Sequence, residues 1–296
     1  MPAAYPEYPA CMKYDPDAYN GYGYRPSLVA GILFVILFFL SSATHAFQAF
    51  HYKTRWLSFI AVGAGIETLG WIARTGAHFC VYSGAYFSMQ ISLLIIAPAV
   101  TMAGIYIVLF RMIPILGQHT SPFPPKICLT ICLVVDCISL VMQAVGGGLV
   151  STASSNGTDM APGTNIMVTG IIFQLSATVT FAILMSIVFF RGRNELAMST
   201  PLKRLAFAMI IAVLCMVTRG VYRSIELLEG WRGYLNLTER YVLSLDAALM
   251  ILAVVILNFL NPGKLLQQGR AEKDAADPQR VVSIERKGSG SGSEIV

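Results

Sequence analysis

Charged residues are scarce in this sequence. Asp, Glu, Lys and Arg together make up 12% of its 296 residues, whereas an average soluble domain carries roughly 25%. A chain that is also 55% hydrophobic cannot cover a water-exposed surface with polar groups. This composition excludes an ordinary soluble enzyme and a disordered protein. The net charge of +5 forms no basic patch, so nothing points to a nucleic-acid partner.

Motifs for several kinds of enzyme and cofactor chemistry are also missing. The six cysteines form no CxxC pair, and no histidine lies at zinc-ligand spacing from them. The chain has no GxxxxGK loop that would bind the phosphates of ATP. Its last apolar run contains no lysine that could hold a retinal Schiff base. We therefore expect no catalytic residue, no metal site and no cofactor.

Long apolar runs are abundant instead. A helix needs roughly 20 apolar residues to cross a hydrocarbon core of about 30 Å, and seven stretches come close to that length. They are apolar throughout rather than alternating, so they predict helices and not the strands of a barrel. The expected fold is an all-α, polytopic membrane protein with a bundle of seven transmembrane helices. The predicted spans are Leu28–Gln48, Leu57–Arg74, Tyr86–Phe110, Ile127–Val150, Asn165–Phe190, Leu205–Tyr222 and Tyr241–Leu260.

The regions outside the spans differ from them in composition. Residues 1–27 are rich in Tyr and Pro and contain no apolar region of a signal peptide, so the first span must direct insertion itself. Residues 28–263 form the predicted membrane domain. Residues 264–296 are polar, include a Gly/Ser repeat near their end, and are expected to be a disordered tail.

The distribution of basic residues predicts the orientation in the membrane. Seven spans place the two termini on opposite sides. Of the 21 Lys and Arg residues, 14 fall on the side of the C-terminus, six fall on the side of the N-terminus, and Arg219 lies within a helix. The positive-inside rule then puts the C-terminal tail in the cytoplasm and the N-terminal segment outside the cell.

Two kinds of residue on the predicted outer side fit this orientation. The Asn-x-Thr triplets at Asn156 and Asn236 both fall in outer loops, where they are either glycosylation sites or chance matches. Cys11 and Cys80 are the cysteines predicted to face the oxidising exterior, where they form either a disulfide or two free thiols.

Ionisable and amide side chains within the spans are the candidate substrate-binding residues. An ionisable group inside a bilayer costs roughly 2.5–3.5 kcal/mol on insertion scales, so each one needs a partner or a cavity. Most of them are expected in the half of the membrane nearest the N-terminus, with Asp136 and Gln174 near the middle. They could neutralise one another as a structural network or line a substrate cavity, and the two roles are compatible. The candidates are Glu67, Gln90, Asp136, Gln143, Gln174, Arg219, Arg223, Glu226 and Asp246.

Two local patterns predict how these groups are held. Arg219, Arg223 and Glu226 follow i, i+4, i+7 spacing, so they share one face of a helix. Pro98 lies inside the third span and has no backbone N–H. It is therefore expected to kink that helix and to free a backbone carbonyl inside the bundle.

Several segments carry a recognisable pattern, in order along the chain. They are Glu67-Thr-Leu-Gly-Trp-Ile-Ala-Arg74, Ala97-Pro-Ala with Tyr106, Asp136-Cys-Ile-Ser-Leu-Val-Met-Gln143 with Gly146–Gly148, Gly170-Ile-Ile-Phe-Gln174, and Arg219-Gly-Val-Tyr-Arg-Ser-Ile-Glu226 with Gly230, Glu239, Tyr241 and Asp246. Together they resemble the fungal lipid-translocating exporter family, also called the aminocholesterol-resistance-like family. The resemblance covers about Tyr22 to Gly263, and Asn261-Pro-Gly departs from the His-Pro-Gly expected there.

The resemblance implies a seven-helix fungal protein of the plasma membrane. Members are associated with export or flop of sphingoid long-chain bases, with resistance to toxic amphiphiles and, in one branch, with porphyrin uptake. We therefore expect a translocase for amphiphilic lipids whose partner is a membrane lipid or an amphiphilic small molecule. A seven-helix lipid sensor that regulates other transporters, and a porphyrin or haem-type uptake protein, are the alternatives. The sequence does not indicate an oligomeric state.

Overall fold

The chain is all-helical. A computed structural model describes residues 8–18, 20–156 and 158–276, and within these residues it contains helices and loops but no strand. Seven of the described helices are long and apolar enough to cross a membrane, which confirms the predicted fold class. In chain order the helices are α1 (Leu28–His51), α2 (Ser58–Phe79), α3 (Gly84–Leu116), α4 (Pro125–Asn156), α5 (Ala161–Arg191), the short α6 (Arg193–Met198), α7 (Thr200–Leu228), α8 (Glu239–Phe259) and α9 (Pro262–Ala276).

Most membrane helices extend beyond the apolar runs that predicted them. For example, α3 begins at Gly84 and ends at Leu116, whereas the apolar run indicated Tyr86–Phe110. The difference arises because hydropathy marks only the part of a helix in the hydrocarbon core. The polar turns at each end continue the same backbone hydrogen bonding into the interface.

The bundle is built from neighbouring helices that pack in sequence. The principal contacts join α1 with α2, α2 with α3, α4 with α5, α5 with α7, and α7 with α8. Of the seven membrane helices, α3 is the most buried. In contrast, α4 exposes one apolar stripe, as a helix facing lipid does. The stripe consists of Ile127, Ile131, Val134, Ile138, Val141 and Val145.

Glycine allows α4 and α5 to approach until their backbones touch. A Cβ atom placed on Gly146 would lie 2.6 Å from the carbonyl oxygen of Gly163 and 2.6 Å from the backbone nitrogen of Met167. In lipid the hydrophobic effect does not drive helices together, so close van der Waals packing of this kind provides the attraction. It fixes the α4–α5 pair as a unit beside the cavities described below.

Seven spans give the bundle two ends. We call the end that carries the start of α1 the N-terminal face. It also contains the connections from α2 to α3, from α4 to α5 and from α7 to α8. The opposite end is called the C-terminal face.

The C-terminal face corrects one expectation. Disorder was predicted from residue 264, but residues 262–276 form helix α9, which packs on α7 and α3. Leu265 and Leu266 are buried, and the Ser199 hydroxyl donates to the Glu272 carboxylate at 2.6 Å. The sequence contains a short signal for the start of this helix, an asparagine followed by a proline. Asn261 caps the helix by accepting a hydrogen bond from the Lys264 N–H. Residues 277–296 lie outside the described residues.

Candidate functional site

A cluster of charged side chains joins α7 and α8 within the bundle. The Arg219 Nε and Asp246 Oδ1 atoms are 2.6 Å apart, and Arg223 Nη2 and Asp246 Oδ2 are 2.5 Å apart. Arg223 also contacts Glu226, with Nη1 and Oε2 separated by 2.9 Å. Asp246 therefore binds two guanidinium groups, one at each carboxylate oxygen, which is the strong form of a charge-assisted contact.

Local backbone features set the positions of these groups. The i, i+4, i+7 spacing on α7 brings Arg223 and Glu226 onto one face, as predicted. Asp246 lies in a π-helical stretch, Val242–Ala247, whose wider turn changes the direction of its side chain relative to an α-helix. Nothing in the sequence predicted that stretch.

Pro98 contributes to the same cluster. The Arg219 Nη2 group donates to the backbone carbonyl of Leu94 at 2.7 Å. In an unbroken helix this carbonyl would accept a hydrogen bond from the backbone N–H of residue 98. Proline has no backbone N–H, so the bond is missing. The free carbonyl expected from Pro98 is thus satisfied by a cation from α7.

Glu67 adds a negative charge to the cluster. It is 2% exposed, and the charges nearest to it are those of Arg219, Asp246 and Arg223. No cation in the described part of the chain lies within ion-pair distance of it. We call Glu67, Arg219, Arg223, Glu226 and Asp246 the charge network. It holds three acidic side chains and two guanidinium groups, and the two acids at ion-pair distance from a guanidinium group are Glu226 and Asp246.

A second ion pair lies nearer the N-terminal face. Arg74 of α2 donates to Glu239 of α8 at 2.8 Å and to the hydroxyl of Tyr24 at 2.8 Å. The Arg74 guanidinium also lies over the rings of Tyr22, Tyr24 and Trp71, at 5.6–5.7 Å from their centroids. Glu239 completes the contact by accepting from the Ser27 N–H at 2.9 Å.

The N-terminal segment covers this end of the bundle. The sulfur atoms of Cys11 and Cys80 are bonded, at 1.97 Å, so the segment is joined to the loop between α2 and α3. The Tyr22 hydroxyl donates to the Gln90 side chain at 2.9 Å. Burial raises the pKa of both Tyr22 and Tyr24, although the nearby Arg74 acts in the opposite direction. Both hydroxyls therefore stay neutral and can donate hydrogen bonds.

Two adjoining cavities lie beneath the segment. The first, of about 640 Å³, opens at the N-terminal face, and we call it the face pocket. The second, of about 520 Å³, lies deeper between α3, α4, α5 and α7, and we call it the inner pocket. Ile95, Ile171 and Arg223 line both, so the cavities meet at these side chains.

The two cavities differ in the polar groups that line them. Polar and aromatic side chains line the face pocket, among them Tyr22, Gln90, Arg223, Glu226 and Trp231. Apolar side chains line part of the inner pocket, and Arg219, Arg223 and an amide pair line the rest. In that pair the Gln143 Nε2 group donates to the Gln174 Oε1 atom at 2.9 Å.

The predicted candidates are therefore only partly brought together. Eight residues line a cavity, belong to the charge network, or both: Glu67, Gln90, Gln143, Gln174, Arg219, Arg223, Glu226 and Asp246. Glu67 belongs to the network without lining a cavity. Asp136 stands apart from the network, beside Tyr106 of α3, and was expected near the middle of a common layer. The separation arises because Asp136 has Tyr106 of α3 and Cys132 of its own helix as titratable neighbours rather than a side chain of α7.

Sequence reasoning missed several residues that line the cavities. Tyr22 and Tyr24 come from the N-terminal segment, Phe87 lies in the first turn of α3, and Trp231 lies in the α7–α8 loop. Aromatic residues at the ends of spans ordinarily mark the membrane interface, so they gave no separate signal. The tyrosine-rich composition of residues 1–27 was the one available indication.

The remaining predicted sites can be placed briefly. Asn236 lies in the α7–α8 loop, where its Nδ2 group donates to the Trp231 carbonyl at 2.7 Å. The triplet at Asn156 includes residue 157, which is outside the described residues. Within residues 8–18, 20–156 and 158–276, no group of three or more His, Cys, Asp and Glu side chains could hold a metal ion.

Comparison with known proteins identifies the family. The profile described as "RTA1 like protein" matches residues 60–269. The chain belongs to the RTA1-like family. One member, the sphingoid long-chain base transporter RSB1 of Saccharomyces cerevisiae, is 31% identical over 88% of this chain and 77% of its own length. Protein RTA1 of the same yeast is 24% identical over 81% of this chain and 84% of its own length.

A third relative matches a smaller share of the chain. Protein RTM1 of Saccharomyces cerevisiae is 26% identical over 66% of this chain and 63% of its own length. No solved structure matches the chain. The matched region contains the charge network and most of both cavities, so these features lie in the part that the family shares.

Proposed function

We propose that the protein moves amphiphilic lipids with a cationic headgroup, such as sphingoid long-chain bases, across the membrane. In this proposal the face pocket binds the headgroup and the inner pocket holds part of the tail. The observation that carries it is the Glu226 carboxylate in a face pocket that aromatic rings also line. The relative named a sphingoid long-chain base transporter supports the same class of substrate.

The chemistry of the face pocket fits an ammonium group. The Glu226 carboxylate lines the pocket and can bind a cation, while Arg74 and Arg223, which also line it, are paired with Glu239 and Asp246. Tyr22, Phe87 and Trp231 present aromatic rings to the same space, and such rings attract cations by their quadrupoles. The amide of Gln90 and the carboxylate of Glu226 can bind hydroxyl groups of a headgroup.

The walls below the headgroup site fit an alkyl chain. Ile91, Ile95 and Ile171 line the face pocket where it meets the inner pocket. The inner pocket continues with further apolar side chains. These are Pro98, Met102, Leu175 and Met216. A tail entering along them would exchange lipid for protein contacts at little cost, since both surroundings are apolar.

The proposal also includes an orientation. We place the N-terminal face outside the cell, in the plasma membrane. The excess of Lys and Arg near the C-terminal face supports this. The bond between Cys11 and Cys80 at the N-terminal face supports it too, because disulfides persist in oxidising compartments. With this orientation the headgroup pocket opens on the outer side.

The alternatives have less support from the geometry. A porphyrin would need cations free to bind its propionates, but Arg74 and Arg223 are each already bound to carboxylates. A lipid sensor could use the same headgroup pocket, so geometry does not separate it from a transporter. Transport by the purified protein does.

Reconstitution into vesicles tests the proposal. A fluorescent long-chain base should cross the bilayer faster in vesicles that contain the protein, whereas its N-acetylated, uncharged analogue should not. Glu226→Gln should reduce the amine-specific rate about tenfold, since a hydrogen bond to a charged group contributes roughly 1.5–3 kcal/mol. Glu229→Gln is the matched control, because Glu229 is exposed one turn further along the chain.

Three results would contradict the proposal. Equal transport rates for the amine and its uncharged analogue would show that no site recognises the charged headgroup. Equal losses for Glu226→Gln and Glu229→Gln would show that the pocket carboxylate is not involved. Binding of the amine without any movement would favour the lipid sensor.

A further inference from the structure

Asp136 is the most isolated carboxyl group among the described membrane helices. Its side chain is buried, at 4% exposure, and neither carboxyl oxygen has a hydrogen bond of ordinary geometry within the described residues. No described Lys, Arg or His lies within ion-pair distance of it. In the charge network, by contrast, Glu226 and Asp246 bind guanidinium groups, and Glu67 lies near the charges of Arg219 and Arg223. Asp136 is therefore outside the electrostatic arrangement that explains the other carboxylates.

The surroundings of Asp136 contain no compensating charge. Tyr106 of α3 faces the carboxyl group, and Cys132 lies one turn before it on α4. On the α5 side, Thr178 lies next to the Tyr106 hydroxyl. Tyr106 and Cys132 are the titratable neighbours, and both are neutral groups at physiological pH. A carboxylate buried in a membrane without a cation is strongly disfavoured, so the group is held neutral by a proton.

A line of hydroxyl groups connects this carboxyl to the inner pocket. Thr178 lines the inner pocket and also borders Tyr106, whose hydroxyl faces Asp136. Gln143 lies two turns beyond Asp136 on α4 and lines the same cavity. Asp136 is thus buried behind the cavity wall, next to the Tyr106 hydroxyl that borders Thr178. The charged residues that line this cavity are Arg219 and Arg223, each already bound to Asp246.

We propose that Asp136 is a proton-binding site that releases its proton when the cationic amine of a substrate moves from the face pocket into the inner pocket. This proposal rests on the proposed function, since it assigns the coupling ion of that transport. A positive charge in the cavity favours the ionised form of Asp136, and by reciprocity the ionised form favours the bound amine. The O–H bond of the carboxyl breaks, and the proton passes to water in the cavity by way of Tyr106 and Thr178. The carboxylate then balances the ammonium, and no bond of the lipid changes.

Infrared difference spectroscopy tests the proposal on the full-length protein. Addition of a long-chain base to purified protein should remove the carbonyl band of a protonated carboxylic acid, and a pH indicator in weak buffer should record about one proton released for each amine bound. Asp136→Asn should remove both signals and weaken binding of the amine by about tenfold or more, since a group that gives up nearly its whole proton on binding must favour the bound amine by about that factor. Glu272→Gln is the matched control, because it removes a carboxyl group that lies outside the charge network and both cavities and should leave the band and the proton release in place.

Each outcome decides between the proposals. If the wild-type protein binds the amine with no loss of the band and no released proton, the proton site is wrong and the proposed function stands. If Asp136→Asn releases the same number of protons as wild type, another group is responsible. If the wild-type protein binds no amine, the proposed function fails and this proposal fails with it. If Asp136→Asn does not fold, Asp136→Glu replaces it in the test. The carboxylic acid band of Asp136→Glu should lie at a different frequency from that of wild type, and an unchanged frequency would show that the band belongs to another residue.

Discussion

Asp246→Ala is expected to destabilise the folded protein by about 3–5 kcal/mol, the usual cost of breaking a buried ion pair by removing one partner. Asp246 binds Arg219 at 2.6 Å and Arg223 at 2.5 Å, and its side chain is 3% exposed. Without it, two buried guanidinium groups lose their shared carboxylate. Glu226 still contacts Arg223, but Arg219 retains only the carbonyl of Leu94. The loss should therefore exceed that of any single uncharged contact in the bundle.

Stability measured in detergent checks this prediction. The variant should lose its monodisperse gel-filtration peak at a temperature well below that of wild type. Asp17→Ala is a suitable control, because Asp17 is exposed in the N-terminal segment. An Asp246→Ala protein as stable as the Asp17→Ala control would show that the charge network does not hold α7 and α8 together.

Cys11→Ser/Cys80→Ser is expected to weaken amine binding about thirtyfold, as removal of an aromatic contact worth roughly 2 kcal/mol would do. The disulfide joins the N-terminal segment to the α2–α3 loop, and Tyr22 and Tyr24 of that segment line the face pocket. A segment released at Cys11 still has hydrogen bonds to Gln90 and Arg74. Without the disulfide, the segment loses more conformational entropy when it closes over the headgroup. The affinity for the amine therefore falls while the bundle stays folded.

Binding titrations with a fluorescent long-chain base check the effect. Cys137→Ser is the matched control, because Cys137 is a free and exposed cysteine on α4. Mild reduction of wild-type protein should reproduce the loss seen in the double variant. If the double variant binds as tightly as Cys137→Ser, the N-terminal segment does not form part of the headgroup site.

The sequence predicted those features that depend on the cost of a buried group. Charged side chains within apolar spans had to find partners or a cavity, and the structure shows Arg219, Arg223 and Asp246 in contact. A proline within a helix had to free a carbonyl, and the Leu94 carbonyl accepts from Arg219. Both inferences follow from unmet hydrogen bonds and charges, which do not depend on how the helices are arranged.

The choice of partners could not be predicted in the same way. Whether Asp246 or Glu67 binds Arg219 depends on the rotation and tilt of each helix, which are set by packing against neighbours. The π-helical stretch at Val242–Ala247 changes the direction of Asp246, and it has no signature in the sequence. Asp136 was grouped with the network by depth alone, but its titratable neighbours are Tyr106 of α3 and Cys132 of α4.

The covering of the face pocket was the largest feature missed. Residues 8–18 and 20–27 have no helical or strand periodicity, so no pattern indicated where they lie. Their position depends on long-range contacts, such as those of Tyr22 with Gln90 and of Ser27 with Glu239. Helix α9 was missed for a related reason, because a short helix with few apolar residues resembles a disordered tail in composition.

Photo-crosslinking tests the central claim, that the face pocket binds the headgroup of a cationic amphiphile, most directly. A long-chain base with a photoreactive group next to its amine would be irradiated with the reconstituted protein, and the labelled peptides mapped by mass spectrometry. The account predicts labelling of the start of α3 near Phe87 and of the α7–α8 loop near Trp231, abolished by excess unlabelled base but not by its N-acetylated analogue. Labelling confined to lipid-facing side chains such as the α4 stripe, and unaffected by competitor, would contradict it.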